Sequence, residues 1–290
     1  MFNLSTISPF PAGHKASGVA LLPVQKITGD AAPTRVIDPV AVEEPLEISL
    51  EYGPAAARCQ QNISVTMRTP GQDTDLAIGF LFTEGILPDV SALASVTTAE
   101  NTIKLSLREN ITPDINRLQR HFYTSSSCGV CGKSSIESLR TVITPGRPEK
   151  ETQPPVEAQV LYGLPPMLRQ EQSIFETTGG LHAAALFNRS GLILSLREDI
   201  GRHNAVDKLI GHALQDNLLP LTNAILLLSG RACFELIQKA AMAGIKIIAA
   251  IGPPSSLAVQ MAEESDITLI GFLRDQRFNI YSGAHRIRVK

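Results

Sequence analysis

Cys128 and Cys131 stand at C-x-x-C spacing in the run Ser125-Ser126-Ser127-Cys128-Gly129-Val130-Cys131-Gly132-Lys133. A helix is expected straight after it. Ser134 and Glu137 have the S-x-x-E spacing of a capping box, in which each side chain satisfies a backbone donor of the first turn. The free N–H groups of that turn carry partial positive charge, and Lys133 adds a full one. Both favour thiolate over thiol, and thiolate is the form that attacks sulfur or binds metal. The loop therefore reads as a reactive centre.

Four chemistries fit such a pair. A zinc half-site would need two further ligands. The chain has no second C-x-x-C, and no two of its six histidines lie within five residues of each other. A zinc deaminase would also want H-x-E, which none of them provides. Thiol–disulfide exchange is expected near an early βαβ unit, whereas this pair follows a whole α+β unit. Sulfur relay needs a low-pKa, accessible thiol on a mobile arm, which flanking glycines and serines would supply. Two surface cysteines without a role are the fourth reading. Spacing alone leans toward the relay and leaves the others open. Of the remaining cysteines, Cys59 and Cys233 lie in separate segments, and Cys233 falls in an apolar helical pattern that predicts a buried, inert thiol.

Bulk composition narrows the field. A chain of 290 residues, 43% hydrophobic, can bury a real core in one large or two ordinary domains. The formal net charge of −2 gives no whole-molecule attraction to nucleic acid or an anionic membrane. Four cysteines are too few for a disulfide scaffold. The longest apolar runs, 224–228 and 247–251, are strand-length and far short of a membrane span. With no secretory signal pattern at the start, a cytoplasmic protein with reduced thiols is expected, without membrane insertion and without nucleic-acid binding.

Three stretches must position the chemistry. Residues 1–34 mix Pro, Gly, Ser and Ala without clear periodicity and read as an N-terminal tail. Residues 35–123 read as a small α+β domain. It has strands at 40–42, 46–50 and 62–68, the last with Ile63, Val65 and Met67 on one face. A helix follows at 75–84, capped by Asp73 or Thr74, then strands at 94–98 and 102–107. A short helix from Thr112-Pro113 leads into the cysteine loop, and the capped helix after it runs to about 142. Residues 124–290 read as the second domain, beginning with that loop and a proline-rich connector at 145–155. Helical segments at 156–170 are expected to break at Pro165-Pro166. A hairpin at 182–197 follows. Fully apolar strands at 224–228, 246–251 and 267–273 then alternate with helices at 204–214, 231–243 and 255–264, before a last strand at 278–281. That rhythm predicts an α/β sheet covered on both faces.

In open α/β sheets, ligands bind at the carboxyl ends of strands, where loops lead into helices. The loops at Ser229-Gly230-Arg231, 252–256 and 274–277, with the charged run 197–208, are rich in small and basic residues that suit phosphates. A solvated edge would look the same. No P-loop and no G-x-G-x-x-G occurs.

Several runs together resemble the formate dehydrogenase accessory sulfurtransferase family (FdhD). They are 75–85 (DLAIGFLFTEG), 127–132 (SCGVCG), 178–184 (TGGLHAA), 198–208 (EDIGRHNAVDK), 229–231 (SGR), 271–274 (GFLR) and 278–281 (FNIY). The resemblance runs in order from about 35 to 281. It implies a sulfur carrier that takes sulfur from a cysteine desulfurase as a cysteine persulfide. The sulfur is passed to the molybdenum cofactor, in its bis(molybdopterin guanine dinucleotide) form, for formate dehydrogenase. It also implies a homodimer and a C-terminal three-layer αβα fold like that of cytidine deaminases, without zinc or another metal. By motif, Cys128 would carry the persulfide and Cys131 would be a relay or an aid to release. Phe272, Leu273, Arg274, Asp275, Gln276 and Arg277 match the cofactor-binding stretch, with Arg274 and Arg277 suited to the pyrophosphates. Thr178, Gly179, Gly180, Ser229, Gly230, Arg231 and His203 are candidates for the guanine nucleotide pocket. His182 reads as a structural histidine or a ligand contact. Asp199 and Asp207 are expected to pair with Arg202 and Lys208 at the surface. A cofactor-binding chaperone that moves no sulfur and a zinc-stabilised binding module are the alternatives from other classes.

Overall fold

The computed structural model describes residues 18–113 and 154–289. The C-x-x-C loop with Cys128 and Cys131, the helices expected on either side of it and the boundary expected at 123/124 lie outside the described residues.

The chain opens with a two-stranded antiparallel ribbon, β1 (Val19–Lys26) and β2 (Thr34–Ala41), paired without a break from Val19↔Ala41 to Lys26↔Thr34. This corrects the reading of residues 18–34 as part of a tail; residues 1–17 lie outside the described residues. The ribbon was illegible because neither face is buried: Leu21, Ile27 and Ile37 all stay exposed, so no period of two marks a core side. Pro23 also looks like a strand breaker, but an edge strand tolerates it.

A four-stranded sheet follows, in the order β4 (Cys59–Arg68), β3 (Glu44–Tyr52), β6 (Thr102–Leu107), β5 (Leu93–Ala99). The pairing of β3 with β4 shifts between Ile48↔Ser64 and Ser49↔Asn62, leaving Ile63 as an extra residue. That bulge separates Ile63 from Val65 and Met67, which the sequence had placed on one face. Ile63 is 1% exposed, while Val65 and Met67 are 52% and 38% exposed. Helix α1 (Asp73–Thr83) lies between β4 and β5 in sequence. It starts without a side-chain cap, because Asp73 instead grips Arg68 through two 2.9 Å hydrogen bonds. It ends in a Schellman cap, with Ile86 N–H on Leu81 C=O at 2.8 Å and Gly85 N–H on Phe82 C=O at 2.9 Å.

The second unit is a six-stranded sheet in the order β13 (Arg277–Ser282), β12 (Thr268–Arg274), β11 (Ile247–Ala250), β10 (Ala224–Leu228), β8 (His182–Asn188), β9 (Ile193–Asp199). The three central strands β10, β11 and β12 are parallel and the outer pairs antiparallel. Alternate residues of the apolar strands go to opposite faces, as the alternating α/β rhythm predicts. Ala183, Ala185, Phe187, Ile225, Leu227, Ile247 and Ala249 join a core under helix α2 (Ala158–Glu171). Ala184, Leu186, Leu226, Leu228, Ile248 and Ala250 join the core on the other side. That face carries helices α4 (Arg202–Gln215), α5 (Phe234–Met242) and α6 (Ser256–Glu264). The Ser255 hydroxyl accepts the Ala258 N–H at 3.2 Å and caps α6, as its position predicts. Between α2 and β8 lies a short helix, α3 (Ser173–Thr178). A two-stranded parallel pair, β7 (Val156–Glu157) with β14 (Ile287–Arg288), closes the fold.

Helix α2 runs through Pro165 and Pro166 instead of breaking there. Two consecutive prolines remove two helical donors and cost several kcal/mol in isolation, at about 3 kcal/mol each. Leu161, Leu164 and Leu168, all fully buried on the sheet, hold the two halves in line.

The two units share one core. Leu46, Ile48, Leu50, Ile103 and Leu105 of the smaller sheet belong to the same buried cluster as Val206, Leu209 and Ile210 of α4, with α1 between them. At the crossing of α1 and α4 the backbones touch. A Cβ on Gly79 would lie 1.9 Å from Asp207 C=O, and one on Gly211 would lie 1.9 Å from Asp75 C=O. Glycine at both positions is what allows the approach.

Candidate functional site

The residues singled out from 178 to 277 lie along one edge of the six-stranded sheet. It is the edge where β10, β11 and β12 end and β8 begins, because parallel strands send their following loops to the same side. Backbone hydrogen bonds stitch the edge together. Ser229 N–H donates to Ala183 C=O at 3.0 Å, and the Ser229 hydroxyl accepts the Ala183 N–H at 2.8 Å. Gly252 N–H donates to Gly230 C=O at 3.0 Å, and Phe272 N–H to Gly252 C=O at 3.1 Å. A Cβ on Gly230 would lie 3.2 Å from His182 Nδ1, so glycine there lets the imidazole lie against the loop backbone.

A cleft of about 530 Å³ opens at this edge, between α2 and α3 on one side and β8 on the other. Gly179, Gly180 and Ser229 line it, as do Arg169, Gln172, Phe175 and His182. The Arg169 guanidinium sits 4.4 Å from the centre of the Phe175 ring. Gln172 is buried, and its Nε2 has no hydrogen-bond partner among the described residues. The Glu198 carboxylate fixes the wall by accepting Ile174 N–H at 3.1 Å and Phe175 N–H at 2.9 Å. Thr178 is engaged locally: its hydroxyl donates to Ile174 C=O at 2.9 Å and accepts Gly180 N–H at 3.3 Å. His182 lines the cleft, and burial, with the nearby Arg202, His203 and Arg231, pushes its pKa below the usual histidine value.

Phe272 to Arg277 form the bend and tip of the β12–β13 hairpin. Asp275 and Gln276 both have positive φ, 52° and 55°, between the paired Arg274 and Arg277. That is the φ pattern of a type I′ turn, built without the glycine such turns favour. Phe272 has φ 55° where the pairing with β13 becomes irregular, a conformation unusual for a bulky residue. Leu273 is buried in the core under α2, so it is a packing residue. Arg231, Arg274 and Arg277 are exposed and form no ion pair with another described residue. The hairpin tip and Arg231 do not line the cleft, so the predicted nucleotide residues divide between the cleft and the exposed edge beside it.

His203 belongs to neither group. Its Nε2 lies 3.2 Å from Cys233 Sγ and 3.3 Å from Glu235 Oε2, and Cys233 donates to the same carboxylate oxygen at 3.1 Å. Burial disfavours a charged imidazole, but the hydrogen bonds to Cys233 and Glu235 outweigh it and hold His203 up to about 9. The carboxyl of Glu235 is held low by the same two partners against its own burial. Cys233 is therefore not the buried thiol inside a helix that its pattern predicts. It is the half-buried residue just before α5, because that helix begins at Phe234 and not at Arg231. The signal in the sequence was the Cys-x-Glu spacing at the end of the loop that follows an apolar strand. Its partner His203, thirty residues earlier, also sits in the first turn of a helix that follows a strand. Arg169, Gln172 and Phe175 had no comparable signal.

The charged run 198–208 turns inward. Asp199 pairs with Lys208 at 2.7 Å, and Asp207 with Lys239 at 2.9 Å, all four buried. The surface pairs expected at these aspartates are replaced by inward ones. Lys208 also donates to Thr69 C=O at 2.9 Å, and Asp199 accepts Thr69 N–H at 3.2 Å. Thr83 donates to Asp207 at 2.8 Å. The run thus ties the smaller unit to the sheet and holds the edge in place.

Comparison with known proteins agrees with the motifs. Residues 41–288 match the model of the FdhD/NarQ family. The chain is 48% identical over 280 residues to the sulfur carrier protein FdhD of Streptomyces avermitilis, covering 92% of this chain and 95% of that one. It is 44% identical over 252 residues to the protein of the same name from Picrophilus torridus, covering 87% and 93%. Among solved structures, a protein from Desulfotalea psychrophila assigned as a formate dehydrogenase accessory protein superposes with a TM-score of 0.72 at 22% identity. It covers 93% of this chain and 100% of that one, which shows the shared fold.

Proposed function

The chain belongs to the FdhD/NarQ family, and on that premise we propose that it is a sulfur carrier serving formate dehydrogenase. The observation that carries this reading is the 48% identity to a protein named as a sulfur carrier over 92% of the chain. Cys128, with Cys131 beside it, is the thiol of choice. Its thiolate attacks the outer sulfur of a cysteine desulfurase persulfide. The donor's S–S bond breaks, the donor thiolate leaves, and Cys128 holds the sulfur as a persulfide. On release the Cys128 S–S bond breaks with its electron pair staying on Cys128, which returns to the thiolate. The transferred sulfane sulfur would take the two electrons it needs to become a sulfido ligand from the reduced metal of the molybdenum cofactor, the substrate of this step; Cys131 assists that release.

The cofactor's guanine dinucleotide ends are large, flat and anionic, and the strand-end edge suits them. The cleft supplies Phe175 for a purine face, Gln172 Nε2 and Ser229 for polar contacts, and Arg169 for charge. Arg231, Arg274 and Arg277 at the exposed edge are available to the pyrophosphates. The sheet with helices on both faces supports a cytidine-deaminase-like layering of this unit. We assign action in the cytoplasm as a homodimer to the same reading. Among the described residues no helix is long and apolar enough to cross a membrane.

Intact mass after incubation with a cysteine desulfurase and cysteine tests the proposal. A gain of one sulfur atom, lost on reduction and absent in Cys128→Ala, is the expected result. An unchanged mass, or a gain that persists in Cys128→Ala, overturns the assignment. No sulfur gain together with tight GDP binding would favour a cofactor-binding chaperone, the reading to which the cleft itself points.

A further inference from the structure

We propose that His203 Nε2, Cys233 Sγ and Glu235 Oε2 form a binding site for a divalent transition-metal ion, zinc by preference. It is separate from the C-x-x-C pair and independent of the sulfur-carrier reading. The family resemblance implies no zinc in this chain, and neither the scattered histidines nor an H-x-E spacing points to this group in the sequence.

The three atoms form a triangle with sides of 3.1, 3.2 and 3.3 Å. Zinc binds nitrogen and oxygen at about 2.0–2.2 Å and sulfur at about 2.3 Å, which in a tetrahedron puts neighbouring ligand atoms roughly 3.3–3.7 Å apart. Each side of the triangle is within a few tenths of an ångström of that edge length. An ion would sit just above the triangle, with small side-chain rotations and no backbone movement. Imidazole, thiolate and carboxylate are the donor types zinc takes, and this mixture does not suit calcium or magnesium, which prefer all-oxygen sets.

An independent observation points the same way. Glu235 is 8% exposed, and its second carboxylate oxygen, Oε1, is buried without a hydrogen-bond partner among the described residues. Buried carboxylate oxygens are normally satisfied. A cation on the triangle would satisfy this one electrostatically or by bidentate coordination. The backbone fixes the ligands before any ion arrives. Cys233 is the residue before α5 and Glu235 lies in its first turn, while His203 lies in the first turn of α4. Both helices are packed into the core.

Among the described residues no fourth His, Cys, Asp or Glu joins the group. Three protein ligands leave one tetrahedral position for water or an exogenous ligand, the arrangement of reactive rather than purely structural zinc sites.

The test uses the full-length Cys128→Ala/Cys131→Ala double variant, so that the C-x-x-C pair cannot bind metal. The protein is stripped with chelator and titrated with Co²⁺, then with Zn²⁺. The expected result is one Co²⁺ per chain, with visible bands of a tetrahedral ion and a thiolate charge-transfer band in the near ultraviolet, both removed by one equivalent of Zn²⁺. Adding Cys233→Ser should abolish the charge-transfer band and weaken binding by about 100-fold or more. Adding Glu235→Gln should weaken binding at least about 10-fold and leave the charge-transfer band in place at saturating Co²⁺. No saturable binding in the double variant overturns the proposal. So does binding that Glu235→Gln and Cys233→Ser leave unchanged. Should the Cys233→Ser protein fail to fold by circular dichroism, Glu235→Gln decides alone.

Discussion

Gly79→Ala adds one methyl group at the point where α1 and α4 touch. The new carbon would lie 1.9 Å from Asp207 C=O and 2.9 Å from Gly211 N. A carbon needs about 3.3 Å from a carbonyl oxygen, so the helices must part by about 1.4 Å. A gap of even 0.5–1 Å already forfeits roughly a quarter to a half of each dispersion contact, and this crossing lies inside the core that holds Leu76, Val206, Leu209 and Ile210. The buried Thr83–Asp207 hydrogen bond at 2.8 Å and the Gln215–Asp75 bond at 2.8 Å span the same seam, each worth about 1 kcal/mol. Overpacking and these losses together cost about 3–5 kcal/mol. Alanine returns about 1 kcal/mol through helix propensity, so the net destabilisation is about 2–4 kcal/mol. At roughly 2–3 °C per kcal/mol for a chain of this size, Tm falls about 5–10 °C. The control is the same substitution elsewhere. Gly163 in α2 is exposed with nothing within 4 Å of its virtual Cβ, so Gly163→Ala should raise stability by about 0.5–1 kcal/mol. Thermal and urea unfolding of both variants read the sign directly. A Gly79→Ala protein that unfolds at or above the parent temperature refutes the close-crossing account. Gly211→Ala in the Gly79→Ala background should cost less than it does alone, since the helices are already apart.

Lys239→Met should lower stability by about 3–5 kcal/mol, because it leaves the buried Asp207 carboxylate without the cation 2.9 Å away; urea unfolding measures it. Gln276→Gly should raise stability by about 1 kcal/mol by relieving a φ of 55° at an exposed turn residue, and differential scanning calorimetry would show the higher Tm. His182 has a folded pKa below its unfolded value. The unfolded chain therefore binds more protons in the window between the lowered value and about 6.5, and stability falls as pH drops through that window. His182→Asn should flatten this part of the stability–pH curve, and an unchanged slope would exclude His182 as its source.

Most of the second unit was legible from the sequence because its strands are apolar on both faces and one of its helices, α6, carries a side-chain cap. Alanine, leucine and isoleucine runs at 224–228 and 247–251 need burial on two sides, and Ser255 caps where its position says it should. The clustering of 178–180, 229–231 and 272–277 at one edge follows from parallel strands, so the region of the candidate site was legible as well. The failures have physical causes. The exposed β1–β2 ribbon has no core face to create a pattern. Ile63 leaves its neighbours' face through a bulge, which periodicity cannot report. Pro165 and Pro166 end a helix in isolation but not when Leu161, Leu164 and Leu168 anchor both halves. The buried pairs Asp199–Lys208 and Asp207–Lys239 looked like a solvated face, because charges facing inward and outward have the same sequence pattern. Cys233 and Glu235 share a local Cys-x-Glu spacing, but their meeting with His203 comes from tertiary packing of two helix starts, which no local spacing encodes.

The α1–α4 seam also constrains how the protein is made. Asp75 and its partner Gln215 are 140 residues apart in the chain. At roughly 5–20 residues per second, a ribosome needs about 7–28 seconds to synthesise what lies between them. Through that interval the side of α1 that carries Asp75, Gly79 and Thr83 has no α4 to cover it. The nascent smaller sheet must wait with an open face, and holdase chaperones that bind such faces have their longest access to this protein then.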